Sequence, residues 1–221
     1  MKPKLFHSLA RSAAAIVAAG ILTSGCEKET VHSVTLTPVV EVRSIGDFKP
    51  DALPYTDAQI IIYGTNIDAR LEADRSEGTL ELAILTDDQV VERENYKFSE
   101  GSFKFAGTMD DTYDPPVPLV KFPMEVGDTW SWGGTIKSAG IEREATAKIA
   151  SSNEVLNISG GPYETVLVTV NIWIDADQEE KAERSMKFWF VPGKGIIQRD
   201  YEHSMTRTSK PTESMPETEP Q

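Results

Sequence analysis

The sequence predicts a mainly β protein, either an antiparallel β-sandwich or an open or half barrel with few short helices. Three observations lead there. Apolar residues recur with a period of two, as in Val166, Val168, Val170, Ile172 and Ile174 on one face of a run starting at Tyr163. Turn-forming residues interrupt such runs at hairpin spacing, and no stretch carries a convincing apolar stripe at helical spacing. At 221 residues with 39% hydrophobic and 26% charged side chains, the chain has the composition of one globular domain.

The N-terminus reads as an address. Lys2, Lys4 and Arg11 precede the apolar stretch Ala13–Leu22, and small residues lead into Cys26, with no acidic residue before Glu27. A basic start, a short apolar core and small residues describe a secretory signal peptide over residues 1–25. The apolar stretch is about half the ~20 residues that a spanning helix requires. Ser24, Gly25 and Cys26 resemble the lipobox of bacterial lipoproteins, in which the cysteine sulfur receives a diacylglyceryl group and becomes the new N-terminus. That resemblance implies lipidation at Cys26, a tether over residues 26–33 and a place in the cell envelope. Glu27 stands where some enteric lipoproteins carry an Asp for inner-membrane retention, which points to the outer membrane, facing periplasm or surface.

Charge and cysteine count exclude several function classes. Asp and Glu number 35 against 22 Lys and Arg, a net charge of −13, and removal of Lys2, Lys4 and Arg11 deepens it to −16. Phosphate binding needs a basic footprint, so no nucleic-acid partner is expected. A single cysteine excludes an internal disulfide framework or a CxxC redox pair.

The strands follow in order. Runs of alternating character cover Val34–Val42, Gln59–Tyr63, Leu80–Ile84, Val90–Phe98, Ser102–Phe105, Thr129–Lys137, Ala145–Ile149, Val155–Ile158, Tyr163–Ile174, Met186–Phe190 and Gly195–Tyr201. Asp87-Asp88, Gly133-Gly134, Ser159–Pro162 and Pro192–Gly195 are expected to close hairpins. Asn66–Glu77 and Asp175–Arg184 are charged enough to form helical turns, and Asp110–Pro118 reads as a long loop. These elements make one β domain over residues 34–208. Residues 209–221, with three prolines and almost nothing apolar, read as a disordered tail.

Pro123–Trp132 carries a proline-led V-G-D-x-W turn, Gly160–Val168 a G-x-Y-x-T turn, and Lys187–Ile197 an aromatic strand ending in P-G-x-G. In that order the three segments resemble the secreted bacterial β-domains called TapB-like, over about residues 118–201. The resemblance implies a β-fold and an envelope location, with no catalytic residues to transfer.

A search for chemistry finds little. There is no G-x-S-x-G elbow and no H-E-x-x-H, and His203 is the only histidine inside the predicted domain, so neither a catalytic set nor a metal site nor a cofactor is expected. Asp175–Glu180 lacks the glycine and the bidentate glutamate of a calcium loop. Asp110, Asp111 and Asp114 read as solvated turn carboxylates. The reading that results is a non-enzymatic envelope lipoprotein, its β-domain a binding or structural module for an unidentified protein or small molecule. A carrier of lipid or acyl chains in an open half-barrel is the first alternative, lined by Trp130, Trp132, Val168, Val170, Phe188 and Phe190. A carbohydrate-active enzyme, which would need two facing carboxylates in a cleft, is the second.

Overall fold

The computed structural model describes residues 36–50, 52, 57–158, 161–175, 182–201 and 203–208. The expected signal peptide, Cys26, the tether and the 209–221 tail lie outside the described residues.

The strands run as β1 (Glu41–Val42), then after helix α1 (Ile45–Phe48) as β2 (Asp57–Ile62), β3 (Thr65–Ser76), β4 (Thr79–Thr86), β5 (Gln89–Ser99) and β6 (Ser102–Thr108). They continue as β7 (Asp111–Lys121), β8 (Met124–Glu125), β9 (Thr129–Ser138), β10 (Ile141–Ile158), β11 (Gly161–Ile174), β12 (Ala182–Val191), β13 (Gly195–Tyr201) and β14 (His203–Arg207). Twelve of them form one closed antiparallel barrel; β1 and β8 make a separate two-stranded pair. Closure replaces the expected sandwich or half barrel. The deciding strand is β9, which pairs with β10 from Ile141↔Ser138 to Ala150↔Thr129 and with β7 from Asp111↔Ser138 to Asp114↔Thr135. Closing the sheet removes the unpaired edges that a half barrel would leave exposed.

Four local expectations are corrected. Residues 66–77 are not a helical turn but most of strand β3, where exposed Asp68, Arg70, Glu72 and Asp74 alternate with Ile67, Ala69 and Leu71, the last two buried. Charge density suggests a helix, yet the period is two. Asp110–Pro118 is not a loop: from Asp111 it is strand β7, and three prolines sit within it. Gly133-Gly134 is not a turn but lies inside β9, where a Cβ on Gly134 would fall 2.8 Å from the Pro115 ring. The first run shortens to Glu41–Val42. Asp87-Asp88 does close the β4–β5 hairpin, both residues at positive φ, and Pro192–Gly195 joins β12 to β13. Ser159 and Gly160 lie outside the described residues, as do 176–181 of the second expected helical turn; Ala182–Arg184 is strand.

The prolines of β7 explain the seam. Proline has no N–H for a ladder, and β7 pairs with β9 only as far as Asp114. Beyond that point the two indoles of β9 take over. Trp132 Nε1 donates to the Pro115 carbonyl at 2.8 Å, and Trp130 Nε1 to the Pro118 carbonyl at 2.6 Å. Their side chains hold the wall together where the backbone cannot.

The lumen is filled. Phe48, Phe103, Phe105, Phe188 and Phe190 are fully buried, and their rings interlock at centroid distances of 4.7–6.2 Å with Tyr96, Tyr113 and Tyr201. Phe48 belongs to α1, which closes one end of the barrel. Ser44 caps that helix, its Oγ accepting from Asp47 N, and Lys49 ends it in the left-handed region. The segment behind it lies hard on the β12–β13 turn: a Cβ on Gly195, itself at φ +72, would be 2.6 Å from the Pro50 carbonyl. The outer wall is charged, with Arg93 and Lys97 on β5 and Glu142, Glu144 and Lys148 on β10 exposed. That is the reverse of a membrane barrel, which shows an apolar band outward.

Gly195→Ala is therefore expected to dislodge the capping segment. Both the left-handed backbone and the contact with Pro50 act, so a loss of about 2–4 kcal/mol should appear as a lowered urea midpoint. The same change at Gly193, where a Cβ meets nothing within 4 Å, carries only the backbone penalty and should cost less.

Candidate functional site

The chemistry-bearing side chains gather inside the barrel. On β5 the residues that point inward are Glu92, Glu94, Tyr96 and Phe98, with Arg93 and Lys97 outward. On β13 and β14 the inward set includes Arg199, Tyr201, Met205 and Arg207. Strands alternate faces, so two acidic residues two apart both enter the lumen, where both meet Arg199.

Arg199 is the centre of this cluster. Its Nε donates to Glu94 Oε1 at 2.6 Å and its Nη2 lies 2.7 Å from Glu92 Oε2, with Arg199 and Glu94 fully buried and Glu92 nearly so. Tyr96 donates its hydroxyl to the other oxygen of Glu94 at 2.6 Å. The guanidinium also stacks over the ring of Tyr201 at 4.4 Å. Burial, the largest single influence, pulls the Arg199 pKa down; Tyr201, Glu94 and Glu92 together outweigh it and leave it raised. Burial pushes the Tyr96 and Tyr201 phenols well up, with Glu94 adding to both, so both are neutral through the physiological range.

Arg207 is the less satisfied partner. Its Nη1 donates to the Ala52 carbonyl at 2.9 Å and lies 3.4 Å from that of Lys194, tying β14 to the capping segment. Its Nε and Nη2 have no hydrogen-bond partner among the described residues. Burial lowers its pKa to about 10, against the pull of Glu94 and Tyr96, so it is still cationic at pH 7. The four charges balance: two carboxylates, two guanidiniums.

A third buried carboxylate sits at the start of β7. Asp111 is 3% exposed and forms an ion pair with Arg184 of β12. This corrects its reading as a solvated turn residue, while Asp110 and Asp114 are exposed as expected. Tyr113 places its hydroxyl 3.9 Å from Met186 Sδ in the same layer.

The side chains singled out as lining residues all take structural positions. Val168 and Val170 on β11 and Phe188 and Phe190 on β12 are fully buried, Trp132 is buried and Trp130 half-buried. Across the β11–β12 ladder Val168 faces Phe188, while Val170 faces Met186 and Phe190 faces Val166, whereas the indoles serve the β7–β9 seam. His203 lies in β14. Among the described residues no cluster of three or more His, Cys, Asp or Glu is arranged to hold a metal ion. No described helix is long and apolar enough to cross a membrane.

No known protein family model matches the chain, and no curated protein matches it. Solved structures do. The hypothetical lipoprotein YmcC of Escherichia coli K12 aligns at 13% identity over 76% of this chain and 90% of its own, with a TM-score of 0.42. A candidate exported protein of YmcC-like fold from Bacteroides fragilis aligns at 13% identity over 69% and 94%, with a TM-score of 0.38. A candidate lipoprotein from Parabacteroides distasonis aligns at 7% identity over 69% and 92%, also at 0.38.

The buried cluster makes two predictions. Arg199→Met leaves two carboxylates uncompensated in the lumen and should cost about 3–5 kcal/mol in urea unfolding. Adding Glu92→Gln and Glu94→Gln should restore most of that loss; a triple variant as weak as the single one would contradict the charge argument. The tyrosines separate by pH. A phenol whose folded pKa is raised contributes stability that is whole below its unfolded value of about 10 and is lost as pH rises beyond it. Unfolding free energy should thus fall above pH 10. Tyr201→Phe, whose lost hydroxyl has no hydrogen-bond partner among the described residues, should be near neutral at pH 7 and flatten that alkaline limb. Tyr96→Phe should instead cost about 1.5–3 kcal/mol at pH 7, through its bond to Glu94.

Proposed function

We propose that this chain is a lipid-anchored cell-envelope protein whose barrel works as a binding or structural module rather than as a catalyst. The observation that carries the reading is the pairing of an acylable cysteine, in the setting Ser24-Gly25-Cys26, with a barrel whose interior is spent on packing. The diacylglyceryl group supplies the two chains that stable anchoring requires, at about 0.8 kcal/mol per buried CH₂. A charged outer wall suits a domain held beside a bilayer and not inserted in it. The resemblance of residues 118–201 to TapB-like envelope domains supports the same location, and Glu27 in place of an Asp favours the outer membrane.

The filled lumen favours this reading over a carrier. An acyl chain would have to displace Phe188, Phe190 and Phe105 from contacts with one another, and a close-packed interior resists that. The buried carboxylates also speak against glycoside chemistry at the lumen, since Glu92 and Glu94 are both committed to Arg199.

Cells expressing the full chain and fed a radioactive fatty acid are expected to label the protein, and Cys26→Ala should abolish the label. Unlabelled wild-type protein, or label that persists in Cys26→Ala, would refute the anchoring half of the proposal.

A further inference from the structure

The outer wall carries a groove that crosses the strands instead of following them. Three clefts of about 310, 490 and 600 Å³ adjoin one another, the first two sharing Asn95, Lys97 and Ala106 and the last two sharing Thr135. Together they run from β3 around the wall through β7 and β9 to β11, and every residue that lines them belongs to a strand. Eight neighbouring strands at about 4.8 Å spacing make a path of roughly 34 Å. Walls built from strands are ordered before a ligand arrives, so binding loses little affinity to ordering.

Two features shape the groove. Opposite Ala106, β7 spends four residues, Tyr113 to Pro116, between the pairs Phe105↔Val117 and Gly107↔Thr112. Such a bulge bends the sheet, and bulges collect beside functional sites. In β9 an outward position has no side chain: Gly133 is exposed, and a Cβ there would meet nothing within 4 Å.

One end of the groove is aromatic. Gly133 pairs with Thr146 of β10 and Thr146 with Trp173 of β11, so the indole stands in the same row and on the same face as the bare glycine, two strands away. Trp173 Nε1 donates to Glu183 Oε1 of β12 at 3.1 Å, which fixes the ring by its polar edge while the indole lines the groove. The other three indoles are committed to the barrel, Trp130 and Trp132 at the seam and Trp189 on Glu154. Along the remainder Asn95, Thr108, Thr112 and Thr135 both donate and accept, and Lys97 and Lys137 accompany Asp114 and Glu142.

This lining selects its occupant. A nucleic acid would meet a chain of net charge −13. A peptide that adds as a strand needs free backbone groups, yet the β9–β10 and β10–β11 ladders are continuous beneath the aromatic end. A sugar ring suits both halves: its C–H face meets the electron-rich face of an indole, and its hydroxyls donate and accept around the rim. Charges of both signs favour a neutral chain.

We propose that the groove binds an extended neutral glycan, one ring stacked on Trp173 beside Glu144 and the following rings lying over Gly133 and the β6–β7 bulge. The proposal rests on the module reading, which it deepens by naming a ligand class.

The test is calorimetric titration of the full chain carrying Cys26→Ala, so that the outcome is independent of anchoring, with cellohexaose, maltohexaose and chitohexaose. At least one hexasaccharide is expected to bind, and its disaccharide at least tenfold more weakly, because the groove spans several rings. Trp173→Ala should weaken the hexasaccharide tenfold or more, and Trp173→Phe, which keeps an aromatic face, should recover at least threefold of that loss. Gly133→Leu, whose side chain has open space to enter, should block the groove at an unchanged melting temperature. Absence of binding by all three hexasaccharides, equal binding of the disaccharide, or full binding by Trp173→Ala and Gly133→Leu would each overturn the assignment. An alternating Ser-Thr octapeptide that binds where no sugar does would also overturn it, in favour of an extended peptide. Binding accompanied by cleavage to shorter sugars would keep the site and overturn the non-catalytic reading instead.

Discussion

The structure turns on one guanidinium. Arg199 of β13 reaches across the lumen to Glu92 and Glu94 of β5, strands with four others between them along the shorter way around the wall. Burying an ion without a partner costs several kcal/mol, so the two walls can come together only in the register that joins these three side chains. A slip of one residue along β5 would exchange Glu92, Glu94 and Tyr96 for Arg93, Asn95 and Lys97, placing a cation where a carboxylate meets Arg199. Apolar packing alone tolerates many such arrangements; this cluster tolerates one. Buried ion pairs seldom add net stability over apolar substitutes, and their value here lies in selecting a closed ring over a slipped or open sheet.

Around that cluster the barrel is solid. Phe105 touches Tyr96, Tyr113, Phe188 and Tyr201 at ring distances near 5.5 Å, and α1 inserts Phe48 into the remaining gap. A twelve-stranded wall is wide, and side chains from strands alone leave its end open; the helix and its capping segment supply the missing volume. Arg207 then ties that segment to β14 through the Ala52 carbonyl. The same side chain that completes the charge balance in the lumen thus also secures its lid.

Much of this was legible in the residue pattern, and the misses have physical causes. The alternation of Val166 to Ile174 and of Met186 to Phe190 identifies β11 and β12 because both rely on one apolar face. Residues 66–77 mislead because charge on an outer barrel face looks like charge on a helix; only the parity of Ile67, Ala69 and Leu71 distinguishes them. Strand β7 is hidden by prolines whose lost hydrogen bonds are made good by Trp130 and Trp132, partners distant in sequence. The lumen charges were within reach. In the run 90–98, the even positions Val90, Glu92, Glu94, Tyr96 and Phe98 are the more apolar set, so parity alone sends both glutamates inward. The partner Arg199 shares parity with Ile197 and Tyr201. What parity cannot say is which arginine meets which glutamate, because closure brings together strands separated by some hundred residues.

An interior so committed leaves recognition to the outside and the ends. Outside the groove that ends on Trp173, the wall alternates charge of both signs, as β3 does with Asp68, Arg70 and Glu72, which favours solubility over any one ligand. The ends differ from the wall because there the ladder stops and loops set the surface. At the far end, Tyr63 and Met109 stand exposed on the β2–β3 and β6–β7 turns. At the capped end, α1 is laid over β3 and β5 as a foreign piece, and a helix resting on a sheet leaves a groove at its margin. That groove is where the apolar surface of Ile45 and Phe98 meets the cations Lys49 and Arg75. The element that the fold needs to fill its lumen therefore also shapes the surface at that end.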